Sequence, residues 1–189
     1  HGASTQAGLD ALDALADIGG ERASEVLAGL LDAERPELRE EAAYRLALLG
    51  DMRAVPTLLD VLDTPSRSAR AQDALSLLLY CDGGERGASF VQRWRDEPTL
   101  SSEAWFRRAL DLPDDRGTGE LPLAVLLPAI RDSRWYVRVK AIERLEERFG
   151  VSFGSPRRFA SADDVERLAR RWDGWLAAPR GLRGSKDGG

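Results

Sequence analysis

Few side chains in this sequence are of the types that break or make bonds. Cys81 is the only cysteine among 189 residues, and His1, at the terminus, is the only histidine. That excludes an internal disulfide and a Cys-built zinc site, and it removes Ser–His, Cys–His and His-ligated metal chemistry almost completely. Cys81 ends a Leu-rich stretch and reads as packing rather than as a nucleophile. The carboxylate pairs Asp114–Asp115 and Asp163–Asp164 are of the right type for acid–base work or a divalent cation. The first lies in a Gly-rich loop and the second at a helix start, and neither has converging ligands nearby. Gly19-Gly20 and Gly83-Gly84 lack the Lys-Ser/Thr that follows in a phosphate-cradling loop. No catalytic residue, metal ligand or cofactor is expected.

Arginine carries what binding chemistry remains. Only Lys140 and Lys186 are lysines, so nearly all of the 27 basic residues are arginine. Arg39, Arg70 and Arg138 recur at one position of a repeated pattern, each a few residues after Asp32, Asp63 and Asp132. Such a ladder can capture an anion or an acidic partner, or it can tie down the preceding turn. The second reading is the stronger, and these six residues are read as a structural ladder. Charge is uneven: residues 1–130 carry 13 basic and 23 acidic side chains, whereas residues 131–189 carry 14 basic and 9 acidic. All five tryptophans, Trp94, Trp105, Trp135, Trp172 and Trp175, lie from residue 94 onward. A mixture of bases and aromatics can grip phosphates and stack on nucleobases. The competing reading is a solvated face over a packed aromatic cap, with arginines lying on rings.

The elements that position these residues come from a period of 31. Ile18-Gly19-Gly20-Glu21-Arg22-Ala23 aligns with Leu49-Gly50-Asp51-Met52-Arg53-Ala54, and the same shift carries Leu27 to Leu58, Leu31 to Leu62 and Leu46 to Leu77. Each unit reads as two helices with a tight turn between them. Val26, Leu27, Leu30 and Leu31 fall on one face of a first helix, and Pro36 opens a second helix striped by Leu38, Ala42, Ala43, Leu46 and Leu49. The next unit repeats this with Val55, Leu58, Leu59 and Leu62, then Ala69, Ala74, Leu77 and Leu78, closing at Asp82-Gly83-Gly84. A looser unit follows, with Ala88, Phe90, Val91 and Trp94 before Pro98 and a helix over 100–112 faced by Trp105, Phe106 and Ala109. Pro113 to Gly119 is the clearest surface loop. A full unit returns with Leu123, Leu126, Leu127 and Ile130, then Val137, Ala141, Ile142 and Leu145. Last, Ser161 and Asp164 spell a capping box before the stripe Val165, Leu168, Ala169, Trp172, Trp175 and Leu176.

Gly-Asp-x-Arg-Ala-Val-Pro-x-Leu-Leu at 50–59, its degenerate copy at 19–28, and the second-helix element at 38–46, 69–77 and 137–145 resemble HEAT repeats of the short bacterial, PBS-lyase-like kind. The resemblance covers roughly residues 5–150 and departs slightly at Asp73 and Ile142. It implies an all-α fold, a right-handed α-solenoid of about four helical hairpins with terminal capping helices. One domain is expected over 1–177: a half repeat at 5–19, repeats at 20–50, 51–83, 84–112 and 119–150, and a capping helix at 161–177. Residues 178–189 read as a disordered tail.

The expected function is a non-catalytic module that binds another protein. Stacked helix pairs build an extended surface lined by second helices. Its candidate contacts are Glu40, Glu41, Tyr44, Arg45, Gln72, Trp135, Lys140, Arg144 and Arg171. The alternative is a nucleic-acid or phosphate ligand held by the basic, Trp-rich end; no recognised nucleic-acid motif accompanies it, and a protein partner is preferred. Bilin lyase activity, suggested by the repeat's name alone, ranks lowest. A monomer is expected, and no apolar run reaches the roughly 18 residues of a membrane span. Arginine-, alanine- and leucine-rich usage reads as a high-GC bacterial coding sequence. The chain opens His-Gly-Ala-Ser, as a trimmed or processed product would, so cytoplasmic and exported locations stay open.

Overall fold

The computed structural model describes residues 11, 12, 14, 15, 20–112, 119–154, 158 and 160–178. Among them every regular element is a helix and there is no strand. Ala11, Leu12, Ala14 and Leu15 are helical, and the rest of the half repeat expected at 5–19 lies outside the described residues. So do residues 113–118 of the expected loop and residues 179–189 of the expected tail. The chain divides into two compact units, His1–Arg116 and Gly117–Gly189.

Unit 1 holds three helix pairs: α1 (Gly20–Gly29) with α2 (Pro36–Leu48), α3 (Val55–Val61) with α4 (Ser68–Leu79), and α5 (Ala88–Asp96) with α6 (Ser102–Ala109). The second helices pack side by side, α2 on α4 and α4 on α6, so the pairs stack as an α-solenoid. Pro36 sits in the first turn of α2, where its missing N–H costs nothing. The helix stops at Gly50: its N–H reaches the Ala47 carbonyl, and its φ of +75° turns the chain so that the Asp51 N–H reaches that of Leu46. Asp51 then caps the next turn by accepting from the Arg53 N–H.

The core follows the expected stripes with local shifts. Ala23 and Leu27 are the buried residues of α1, and Val26, read as part of that face, is 51% exposed. One residue along a helix is a rotation of about 100°, enough to turn Val26 out. In α4 the buried set is Ala71, Ala74, Leu75, Ser76, Leu78 and Leu79, whereas Ala69 is exposed and Leu77 half-buried. That helix ends earlier than the Asp82-Gly83-Gly84 signal, because Tyr80 itself adopts φ +49° and places its ring 5.1 Å from Phe106. The helix expected over 100–112 spans Ser102–Ala109, with the Ser101 hydroxyl capping it from the Ala104 N–H.

Unit 2 holds one pair, α7 (Leu123–Ala129) and α8 (Trp135–Phe149), and the longer α9 (Ala162–Ala177). Ser161 and Asp164 complete a reciprocal capping box at the start of α9. Trp172, fully buried, lies 6.4 Å from Phe149 and 4.9 Å from Phe153, ring centre to ring centre. The aromatic stripe of α9 therefore covers the end of α8 and the segment that follows it.

Candidate functional site: the second-helix face and a groove beside it

The arginine ladder resolves into two behaviours. Arg39 Nη1 donates to the carbonyls of Ala33 and Glu34 at 2.7 and 3.2 Å. Arg138 Nη1 donates to those of Asp132 and Ser133 at 2.8 and 2.9 Å, and only 7% of this residue is exposed. Both guanidiniums fasten the turn before their helix, through main-chain oxygens. The aspartates act separately. Asp132 accepts from the Arg134 side chain and main-chain N–H. Burial alone would raise the Asp132 carboxyl, but the Arg134 hydrogen bonds and the nearby charges hold it below its usual value. Asp32 and Asp63 are exposed.

Arg70 departs from the ladder. It reaches back to the preceding pair, with Nη1 and Nη2 at 2.6 and 2.9 Å from the Glu41 carboxylate. Its guanidinium lies 3.9 Å over the ring of buried Tyr44. Glu41 also pairs with Arg45 at 2.7 Å, and Glu40 pairs with Arg67. Burial pushes the Glu41 carboxyl up, yet hydrogen bonds and charge from Arg70 and Arg45 outweigh it and leave the pKa lowered. Four of the expected contact residues, Glu40, Glu41, Tyr44 and Arg45, thus belong to a lattice in which Arg67 and Arg70 tie one second helix to the next. They shape the face as a preorganised surface. Gln72, on the same helix as Arg70, is half-buried.

The other expected contacts lie in unit 2 and are engaged locally. Lys140 pairs with Glu143 at 3.0 Å and Arg144 with Glu147 at 2.7 Å. Half-buried Trp135 makes an edge contact with Tyr136, centroids 5.8 Å apart. Arg171 lies 5.1 Å from the centre of the Phe153 ring and donates to that residue's carbonyl at 3.4 Å. Arg131 is shared by Glu166 (2.8 Å) and Asp173 (2.9 Å), and Arg148 pairs with Glu120 at 2.9 Å. Arg131 and Arg170 together depress the Glu166 carboxyl to about 2. Much of the positive charge of unit 2 is therefore matched by neighbouring carboxylates. Arg157 and Phe159 of the expected basic patch lie outside the described residues.

Sequence reasoning missed one feature. Beside the third pair of unit 1 is an open groove of about 710 Å³, walled by Cys81 and Asp82 after α4, by α5 and Glu97, and by Trp105 and Arg108 of α6. The Arg93 and Arg108 guanidiniums lie 4.6 and 4.9 Å from the centre of the Trp105 ring. Arg93 donates to the Leu79 carbonyl at 3.1 Å, and Arg108 clasps Glu97 at 2.5 and 3.1 Å. Cys81 is half-buried; burial is the main force raising its thiol pKa, so it stands as a neutral thiol at neutral pH. The signal available in the sequence was the loosening of the repeat, and in the structure the second helix α6 has 8 residues, against 13 and 12 for α2 and α4.

Among the described residues, no group of three or more His, Cys, Asp or Glu is placed to hold a metal ion, and no helix is long and apolar enough to cross a membrane. No curated protein and no solved structure matches the chain. The family model for HEAT repeats matches residues 4–78. That stretch runs through α1, α2 and α3 and nearly all of α4, the helix pairs whose stacking was described above, and over residues 4–78 the chain is similar to HEAT repeats.

Proposed function

We propose that this protein is a non-catalytic docking module that holds another protein on the second-helix face of unit 1. HEAT repeats generally serve as protein-interaction scaffolds. The observation that carries the reading for this chain is the lattice joining α2 to α4, in which Arg67 meets Glu40 and Arg70 meets both Glu41 and the face of Tyr44. Cross-repeat pairs fix the spacing of neighbouring helices before any partner arrives, so less ordering is needed on binding. A protein partner is favoured over a nucleic acid because the bases of unit 2 are largely engaged by carboxylates of their own unit. The lattice residues would set the shape of the face, and Gln72 would be a direct contact.

Affinity capture with the full chain as bait tests this, run beside a Gln72→Arg variant whose melting temperature is checked. The expected result is a reproducible protein partner, its recovery reduced at least fivefold by the substitution. Failure to recover any reproducible protein under varied salt would overturn the docking function. Equal recovery with the variant would move the contact away from Gln72.

A further inference from the structure

We draw no further inference here: the strongest candidate, the open groove beside the third helix pair of unit 1, is lined by carboxylates and guanidiniums together with a lone thiol, so its chemistry selects no one class of ligand and nothing in the structure shows what covers it.

Discussion

The two units apply the same helix-pair grammar to different ends. In each, an arginine near the start of the second helix, Arg39 or Arg138, donates to two carbonyls of the preceding turn. What lies over the pair then differs. In unit 1 a second helix packs on the next second helix, each burying small and branched side chains (Ala42, Ala43, Ala71, Leu75), with the Arg67 and Arg70 ion pairs at the surface. In unit 2 the pair meets a single helix, α9, through Trp172 and Phe149, with Arg131 bridging to Glu166 and Asp173. Small side chains allow the close, repeatable approach a stack requires, whereas a bulky aromatic fills an irregular space once. The contrast shows how one motif is either propagated or closed.

The largest way to break that contrast is to empty the aromatic cover. Trp172 is fully buried, and Trp172→Ala should cost about 3–5 kcal/mol. Because the loss is confined to unit 2, thermal unfolding should become biphasic, with α9 amides exchanging first; a single shifted transition would mean the two units unfold together. Unit 1 has its own weak point. Gly87 sits at φ +76° and an added Cβ would collide with Leu62 Cδ1, so Gly87→Ala should cost about 2 kcal/mol and lower the unit 1 transition alone. The shared device can be compared across units directly. Arg138→Ala leaves two turn carbonyls without their donor at a site 7% exposed and should cost about 2 kcal/mol, against about 1 kcal/mol for the more solvated Arg39→Ala. Equal losses in chemical denaturation would show that burial does not govern the device.

Acid gives the smallest effect and a sign that can be checked. Glu166 is depressed from the usual 4.5 to about 2 by Arg131 and Arg170. Its ionised form is thus preferred in the folded chain, and the stability it adds is present above pH 4.5 and fades as the pH falls toward 2. Hydrogen exchange in α9 should quicken across that window, and an Arg131→Gln variant should show less of this acid response. An unchanged response would remove Arg131 as the anchor of α9.

The reach of the sequence depends on what each residue must do. Periodicity located the helix pairs, the Gly50 stop and the Ser161–Asp164 capping box, because backbone hydrogen bonding and burial constrain these positions through near neighbours. It misplaced Val26 and Ala69, since adjacent apolar residues on a helix compete for one buried face and tertiary packing decides between them. It paired Arg70 with its own turn, as for Arg39 and Arg138, because a side chain that long can reach either turn or neighbouring helix. Which it chooses depends on Tyr44 and Glu41, in the preceding helix pair. The groove left only an indirect signal, the loosened third repeat, because open space between helices is lined by residues whose own pattern does not mark it.

The docking account is tested most directly by carboxylate-directed cross-linking mass spectrometry, since the lysines are Lys140 and Lys186 alone, on the full chain bound to a protein partner recovered by affinity capture. The account predicts cross-links concentrated in residues 20–112, at the second-helix face, with sparse links to residues 119–178. Links confined to residues 119–178 would contradict it.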